Sequence, residues 1–432
     1  MKRREFLKRS ATLAMIGAAG CAPTPRPISG SDNIVFVVVD QLRKDSLDLW
    51  ARKLSRLSHK GVRFEDMRST APWTYPSVLS LMSGLYPQQH GADGLAQQMS
   101  LTTFNPKVPL LHRLLGDVGY RTAGFVTNPF LQTWNSFHVG FDHFDAHFVK
   151  NTGDARPKPW EFAIPDEMFA PSVNASIQEH YGALGASEPE FTYVHYIDVH
   201  GPWKGAPFKP GYESSVRFID SQILELYEFF MKRYDGNVWF VVTSDHGRSI
   251  ADDTTVGYGN AWRKRKMSCH DFNTRIPFLI LPSRKIDAPR SISGACSNVD
   301  VAATIADIIG RTLPYESPGA TLLPAIRGLE TSLENRLVYS KVSAFGNSSD
   351  SVVMGDRKLM RFFDRRTNKL RATRLFDLSG DPRETESLTR KPKGLKEALV
   401  RMAGTHGLTF APTAAALSES TEENLKSLGY LR

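Results

Sequence analysis

Acidic, amide and imidazole side chains stand closely behind three apolar runs of the chain. They are Asp40 and Gln41 after residues 34–39, Asp245 and His246 after residues 238–244, and Asp198 and His200 after residues 191–197. Oxygen ligands suit Ca²⁺, Mg²⁺ or Mn²⁺, and a histidine among them admits Zn²⁺ or Mn²⁺. A single Asp after a strand is more often a turn residue or a helix cap. Two adjacent pairs at two strand ends nevertheless favour a divalent-metal site.

Thr74 is the candidate nucleophile. It stands between Pro72 and Pro76, and the following SVLSLMS has helical spacing up to Gly84. Thr74 would therefore begin a helix, where the backbone amides and the helix dipole stabilise an anion. The local pattern alone favours the alternative that Thr74 is an ordinary N-cap.

The elements that must position these residues alternate along the chain. Continuous Val, Ile and Phe runs, including IPFLIL at 276–281, are typical of buried parallel strands, and the stretches between them have helical patterns. This order predicts a doubly wound, mostly parallel α/β sheet. Because ligands bind beyond the carboxyl ends of such strands, the residues behind the runs should meet at one edge. From Asn335 onward, short alternating strands with turn signals predict a small antiparallel sheet.

Composition excludes several classes of protein. The 432 residues are 41% hydrophobic and 23% charged, which is typical of one large α/β domain or two coupled lobes. The net charge of +9 is mildly basic, and no basic run is interleaved with aromatic residues as a nucleic-acid groove requires. Three cysteines are too few for a disulfide scaffold or a thiolate zinc site. Whether Cys269 and Cys296 pair stays open at this point.

The first residues have the pattern of an export signal. Arg3 and Arg4 precede an apolar stretch too short to span a bilayer stably, so residues 1–20 resemble a twin-arginine signal. Cys21 follows Ala-Ala-Gly, as at a bacterial lipoprotein processing site, and ordinary cleavage is the alternative. Residues 21–32 read as a Pro-rich tether. We therefore predict a protein of the bacterial cell envelope or periplasm whose membrane contact is a lipid anchor at Cys21.

Taken together and in order, these segments resemble the sulfatases and related hydrolases of the alkaline phosphatase superfamily. NIVFVVVDQLRKD resembles the first metal strand, TYPSVLSLMSGLYPQQHG the nucleophile helix and VVTSDHG the second metal strand. YVHYIDVHGPW is similar to the Asp-x-His-x-Pro segment, KMSCHDFNTRIPFLI to the lysine segment and LFDLSGDPRETESL to the C-terminal signature. The resemblance, from Asn33 to Leu388, implies an alkaline-phosphatase-like sheet sandwiched by helices. It places a catalytic domain over 33–334 and a C-terminal subdomain over 335–432.

The resemblance also implies roles for individual residues. The residues that match the family's metal ligands are Asp40, Gln41, Asp245 and His246. Thr74 matches the nucleophile, which bridges to the same ion. Lys266 matches the lysine that neutralises an oxygen of the substrate. His200 matches the histidine that contacts the substrate and can protonate the leaving group. One divalent ion is implied, with Ca²⁺ favoured by the family and Mg²⁺, Mn²⁺ or Zn²⁺ as alternatives.

Two departures from the family pattern bear on the reaction. Sulfatases carry Cys or Ser in a C/S-x-P-S-R motif that matures to formylglycine, whereas this chain reads Thr-Tyr-Pro-Ser-Val from Thr74. Threonine is not a known formylglycine precursor, and a Thr nucleophile resembles the phosphate-handling branches of the superfamily. Where sulfatases often carry Gly-Lys-Trp-His-Leu-Gly, this chain offers Thr127 and Asn128. Of these two, Asn128 is a candidate neutral donor to the substrate.

We therefore predict a metal-dependent hydrolase or transferase that acts on phosphate or sulfate esters through a covalent Thr74 adduct, with phosphoesters favoured. The substrate would be an anionic ester, either a small molecule or part of a glycan or lipid. A sulfuric ester hydrolase is the first alternative. A non-catalytic anion-binding lipoprotein is the second. His195, which alternates along its strand, is interpreted as a core histidine with satisfied hydrogen bonds.

Overall fold

A computed structural model describes most of the chain. The described residues are 32–92, 102–131, 135–146, 168–185, 188–201, 206–249, 267–283, 290–329, 333–334, 336–344, 347–364, 366–389, 393–404, 409–411 and 413–414. Two predicted site residues, Cys21 and Lys266, lie outside the described residues, as does the export signal. Within the described ranges, no helix is long and apolar enough to cross a bilayer.

One eight-stranded sheet forms the centre of the protein. The strands up to residue 297 are β1 (Asn33–Val39), β2 (Val62–Arg68), β3 (Thr102–Thr103), β4 (Arg121–Val126), β5 (His143–Ala146), β6 (Glu190–Tyr196), β7 (Val238–Ser244), β8 (Arg275–Leu281) and β9 (Arg290–Ser297). All except β3 join the sheet in the order β5-β4-β6-β1-β7-β8-β2-β9. β1 lies between β6 and β7 and is parallel to both. Every residue of these three strands is buried, as their apolar runs predict.

β8 corrects one expectation, because it runs antiparallel to β7 and to β2. The reason lies in where the strand begins. The Gly247 N–H, just beyond the end of β7, donates to the Asn273 carbonyl at 2.7 Å. The segment before β8 is thereby held at the edge of the sheet where β7 ends. A strand that starts at this edge must run back in the opposite direction.

Helices cover both faces of the sheet. They are α1 (Lys44–Leu49), α2 (Arg52–Ser58), α3 (Thr74–Ser83), α4 (Pro87–His90), α5 (Leu111–Gly116), α6 (Ala170–Gly182), α7 (Tyr212–Arg233), α8 (Asp271–Thr274), α9 (Val299–Ile308), α10 (Leu323–Ile326) and α11 (Lys393–Ala403). The even-numbered apolar residues of β1 pack in one core with α3, α5 and α9. The odd-numbered apolar residues pack in a second core with α1, α2, α6 and α7. Both faces of the sheet are therefore buried, as in a doubly wound fold.

A second sheet of four antiparallel strands packs against the first. Its strands are β10 (Val338–Ala344), β11 (Asn347–Met354), β12 (Arg357–Phe363) and β13 (Leu370–Asp377), in that order. Val342, Met360 and Phe376 enter the core that contains α3, while Leu395 and Leu399 of α11 cover the other face. A two-residue β14 (Thr413–Ala414) pairs with β3. The predicted fold class is confirmed, and the domain boundary at residue 335 stays a prediction.

Both cysteines of the described chain are buried and free. The Cys269 sulfur lies 3.5 Å from the Ser349 carbonyl oxygen, and the Cys296 sulfur lies 3.4 Å from the Met67 sulfur. The pairing that the sequence left open therefore does not form in this structure.

A buried cluster of charges joins the two sheets. Asp271 of α8 accepts from Arg68 of β2 at 2.5 Å and from Lys358 of β12 at 2.6 Å. Lys358 also lies 2.8 Å from Glu384, which accepts the Asp271 backbone N–H at 2.7 Å. Burial alone would raise the pKa of Asp271, but Arg68 and Lys358 hold it well below its usual value. Burial raises the pKa of Glu384 to about 6 despite Lys358.

Replacing Lys358 by methionine is expected to lower the free energy of unfolding by about 3–5 kcal/mol, because two buried carboxylates lose a shared partner. The difference in the free energy of unfolding between wild type and variant should shrink as the pH falls from about 7 to 5. Glu384 has a folded-state pKa above its unfolded value, so its ionisation penalty disappears as it becomes protonated. Urea unfolding across this pH range measures both effects.

The exposed ion pair between Arg371 and Asp364 on the same sheet provides the control. Arg371→Met should leave the free energy of unfolding nearly unchanged, because solvent screens exposed pairs. Equal losses for the two variants would show that the buried cluster does not stabilise the junction.

Candidate active site

The carboxyl ends of β1 and β7 bring Asp40 and Asp245 to one edge of the sheet. Asp40 follows Val39, and Asp245 follows Ser244, which is paired in register with Val39. Both carboxylates are fully buried. Asp40 Oδ1 and Asp245 Oδ2 have no hydrogen-bond partner among the described residues. A buried carboxylate oxygen without a donor is costly, so both oxygens need a cation or a proton.

The electrostatics of the two carboxylates differ. Burial, and then the charge of Asp245, raise the pKa of Asp40 well above its usual value. Burial alone would also raise the pKa of Asp245, but His246 and His195 lower it to about 2. Two facing carboxylates in a dry site repel each other, which is the condition that a bound divalent ion relieves.

His246 presents one defined nitrogen to the carboxylates. Its Nδ1–H donates to the Gly247 carbonyl at 2.6 Å, so the lone pair must be on Nε2. His246 Nε2 lies 3.7 Å from Asp40 Oδ1 and 3.6 Å from Asp245 Oδ2. Burial lowers the pKa of His246, so the ring is held neutral. A neutral imidazole with a fixed tautomer is the form that binds a metal ion.

The side-chain oxygen of Gln41 is bound by a guanidinium. Its backbone has φ 63°, in the left-handed region, and its N–H donates to Asp245 Oδ1 at 3.1 Å. Its side-chain oxygen accepts from Arg248 at 3.0 Å. The structure therefore places the Gln41 carbonyl on a guanidinium, although the family pattern matches this residue to a metal ligand. Sequence reasoning did not single out Arg248, although its position directly after Asp-His-Gly could have drawn attention to it.

Thr74 is the first residue of α3 and is fully buried. Its hydroxyl lies 3.4 Å from Asp40 Oδ2 and 3.4 Å from His246 Nε2. The first turn of α3 is fixed to β7, because the Ser77 hydroxyl donates to the Asp245 carbonyl and accepts from Asn298 at 2.8 Å. The helix ends at Gly84, with φ 64°, as the sequence predicts. The nucleophile candidate is thus held at a helix N-terminus beside both metal-type residues.

Asn128 and Thr127 follow β4 and support this arrangement. Asn128 Nδ2 donates to Asp40 Oδ2 at 2.6 Å and lies 3.4 Å from the Thr74 hydroxyl. Its own oxygen accepts the Phe130 N–H at 2.9 Å, which fixes the direction of the amide. Thr127 donates to the His195 carbonyl at 2.7 Å. Asn128 therefore orients Asp40 and Thr74, and its contact with a substrate stays a prediction.

Gly247 is required by close packing behind His246. A Cβ at this position would lie 2.2 Å from the Phe272 carbonyl oxygen. The close approach lets the Gly247 N–H reach the Asn273 carbonyl and keeps the loop after β7 tight. The position of the His246 ring therefore depends on a residue without a side chain.

His200 lies beyond the end of β6 and is 5% exposed. Its Nδ1–H donates to the Gly201 carbonyl at 2.6 Å, so Nε2 is the nitrogen with the lone pair. Burial, followed by the charges of Arg248 and His246, lowers the pKa of His200 to about 3. The ring is therefore neutral in this structure, and an anionic substrate beside it would favour its protonation.

The interpretation of His195 as a satisfied core histidine is wrong. The side chain is fully buried, yet neither ring nitrogen has a hydrogen-bond partner among the described residues. Its Nε2 lies 3.8 Å from Asp245 Oδ2. Asp40, His195 and Asp245 offer ligand atoms that all lie within 4.8 Å of one another. In the described ranges this is the one such group of acidic, histidine or cysteine side chains.

The residues present fit a divalent cation. His246 Nε2 lies 3.7 Å from the unpartnered oxygen Asp40 Oδ1 and 3.6 Å from the unpartnered oxygen Asp245 Oδ2. The Thr74 hydroxyl lies 3.4 Å from His246 Nε2 and 3.4 Å from Asp40 Oδ2, the oxygen that Asn128 binds. Donors that share an ion, each about 2.0–2.3 Å from it, are separated by similar distances. The donor set combines carboxylate, imidazole and hydroxyl groups, which are metal ligands in proteins.

Comparison with known proteins gives a consistent picture. A family model described as Sulfatase matches residues 32–311. A low-salt glycan biosynthesis sulfotransferase of Haloferax volcanii is 25% identical over 344 residues, covering 74% of this chain and 70% of that protein. Among solved structures, a complex with the substrate D-glucosamine-2-N,6-O-disulfate superposes with a TM-score of 0.67 and 15% identity, over 92% and 98% of the chains. The phosphonate monoester hydrolase of Agrobacterium radiobacter superposes with a TM-score of 0.65 and 15% identity, over 86% of this chain and 94% of that chain.

Proposed function

Because this chain belongs to the sulfatase family, we propose that it cleaves or transfers the acidic group of a phosphate or sulfate ester, with phosphoesters favoured. One observation carries the proposal. Thr74, which the family pattern matches to the formylglycine position of sulfatases, has its hydroxyl 3.4 Å from both Asp40 Oδ2 and His246 Nε2. Formylglycine releases sulfate by elimination from a second hydroxyl on the same carbon, and threonine has no such hydroxyl. A phosphoryl group on threonine can instead be released by direct attack of water.

The residues of the chain supply a two-step transfer. In the first step Thr74 Oγ forms a bond to phosphorus, the bond to the leaving oxygen breaks, and the hydroxyl proton passes to solvent. His200, whose Nε2 takes up a proton when the anionic ester binds beside it, gives that proton to the leaving oxygen and returns to its neutral form. In the second step water or an acceptor hydroxyl attacks phosphorus and releases Thr74, which takes back a proton.

Asp40, Asp245 and His246 would hold the divalent cation, which when bound lowers the pKa of the Thr74 hydroxyl and offsets charge on the ester. Asn128 keeps Asp40 and the Thr74 hydroxyl in place. Lys266, which follows the family pattern, would neutralise a further oxygen of the substrate. Because Asn128 holds Asp40 and Thr74 before the substrate arrives, little energy is spent on reorganising these two groups during the reaction.

Parallel assays test the proposal. Protein loaded with Zn²⁺, Mn²⁺ or Ca²⁺ is offered 4-nitrophenyl phosphate, bis-4-nitrophenyl phosphate and 4-nitrophenyl sulfate. Turnover of a phosphate ester that exceeds turnover of the sulfate is expected. Turnover of the sulfate alone would instead support the sulfuric ester hydrolase. Binding of inorganic phosphate with no turnover of any ester would support the anion-binding lipoprotein.

His200→Gln is expected to discriminate between leaving groups. Turnover of an alkyl phosphate should fall by about 10²–10⁴-fold, because an alkoxide needs a proton as it leaves. Turnover of 4-nitrophenyl phosphate should fall by less than about 10-fold, because nitrophenolate leaves without one. The measurement is kcat/KM across esters of graded leaving-group pKa. An equal loss for all esters would remove His200 from proton transfer.

Several finer points belong to the same proposal. The similarity to a sulfotransferase keeps transfer to an acceptor hydroxyl as a candidate second step. Relatives that act on sulfated sugars support an anionic glycan ester as a substrate class, beside small molecules and lipids. We propose that the protein is exported by the twin-arginine route and is anchored in the cell envelope by a lipid at Cys21.

A further inference from the structure

We infer that His195 Nε2 is a direct ligand of the cation and that the ion is therefore a first-row transition metal, with Zn²⁺ as the test case, rather than Ca²⁺. The inference deepens the proposed function, on which it rests for the presence of the ion. It assigns a ligand that the family pattern does not include.

The position of His195 in the sheet brings it to the site. It is the last but one residue of β6 and pairs in register with Val38 of β1, two residues before Asp40. Residues of a strand alternate between faces, so His195 shares a face with Tyr193, which packs in the core of α3. Asp40 shares a face with Val38 in the same way. His195 and Asp40 therefore lie on the face of the sheet from which Thr74 approaches.

The contacts of His195 indicate a missing partner. Both ring nitrogens are buried without a hydrogen-bond partner in the described part of the chain, and Asp40 Oδ1 and Asp245 Oδ2 are in the same state. A direct hydrogen bond does not explain the pair, because 3.8 Å between His195 Nε2 and Asp245 Oδ2 exceeds hydrogen-bond distance. The separation instead fits two ligands of one ion. A single cation would satisfy His195 Nε2 together with Asp40 Oδ1 and Asp245 Oδ2.

The contacts of Gln41 support the same assignment. Its side-chain oxygen is directed to Arg248 at 3.0 Å, and its backbone N–H is directed to Asp245. The side-chain oxygen at the family's second metal-ligand position is therefore engaged by a guanidinium in this structure. His195 supplies a nitrogen from the neighbouring strand.

A ligand set that includes His195 favours a different kind of ion. With His195 and His246 the site offers two imidazoles beside two carboxylates and the Thr74 hydroxyl. Ca²⁺ takes six to eight oxygen ligands, whereas imidazole nitrogens suit Zn²⁺ and related transition ions. The site is also compact, as expected for an ion with ligands at about 2.0–2.2 Å.

His195→Gln tests the inference through metal affinity alone. Wild-type protein is expected to bind Zn²⁺ at least about 100-fold more tightly than Ca²⁺. The variant should lose about 10–100-fold in Zn²⁺ affinity and change its Ca²⁺ affinity by less than about 3-fold, because the glutamine oxygen still suits Ca²⁺. Calorimetric titration with each ion provides the measurement. Equal losses for both ions, or no loss for Zn²⁺, would overturn the inference.

Two further measurements keep the test decisive. His112→Gln is the matched control, since His112 is equally buried but donates to the Val139 carbonyl in another part of the fold. It should leave both affinities unchanged. X-ray absorption of the Zn²⁺-loaded wild type needs no variant, and it should count two imidazole ligands; one imidazole would overturn the inference. The proposed function has a separate test, because metal binding is measured here without any ester.

Discussion

Replacing Thr74 by valine is expected to lower kcat by about 10⁴-fold or more, while the protein remains folded and binds the metal ion with little change. Valine has the shape of threonine without the hydroxyl, so the variant removes the group that receives phosphorus and little else. Loss of a nucleophile commonly costs this much, because no other group can form the covalent bond. Steady-state turnover of the best ester from the parallel assays is the measurement.

Thr74→Ser provides the control. Serine keeps the hydroxyl, so its kcat should stay within about 10-fold of wild type, the loss reflecting a looser side chain. Mass spectrometry of the wild type stopped during turnover should find one phosphoryl group on the peptide that contains Thr74, and none in the valine variant. Turnover by the valine variant at the wild-type rate would show that the reaction does not use this hydroxyl.

Replacing Asp245 by asparagine is expected to weaken metal binding and turnover together. Asparagine can still accept from the Gln41 and His246 N–H groups, but the charge that faces the ion is lost. Metal affinity should fall by at least about 100-fold and turnover by about 10⁴-fold.

Asp220→Asn is the matched control for this variant. Asp220 is also buried, and it accepts the backbone N–H groups of Lys53 and Leu54 at 2.9 and 2.7 Å. Its replacement should leave metal affinity and turnover unchanged. Metal affinity of Asp245→Asn equal to that of wild type would show that the Asp245 carboxylate does not hold the ion.

The strands that carry the site could be predicted because their signals are local. Continuous apolar runs require burial on both faces, and Asp40, Asp245 and His246 follow such runs directly. The start of α3 at Thr74 was predicted because two prolines restrict the backbone there. In both cases neighbouring residues determine the structure.

The rest of the site depends on contacts between distant segments. The direction of β8 is set by a hydrogen bond from Gly247 to Asn273, which no periodicity in the sequence reveals. The side chain of Gln41 is directed by Arg248, 207 positions further along the chain. His195 sits in an apolar run and looks like any alternating strand residue until β1 and β7 are placed beside it.

The charges that join the two sheets have a consequence for the order of biosynthesis. Glu384 accepts the backbone N–H of Asp271, the first residue of α8, and Lys358 supplies the balancing positive charge. A nascent chain that has emerged only as far as β9 possesses all eight strands of the main sheet but neither of these two groups. The anchor of α8 therefore forms only after all eight strands of the main sheet have been synthesised.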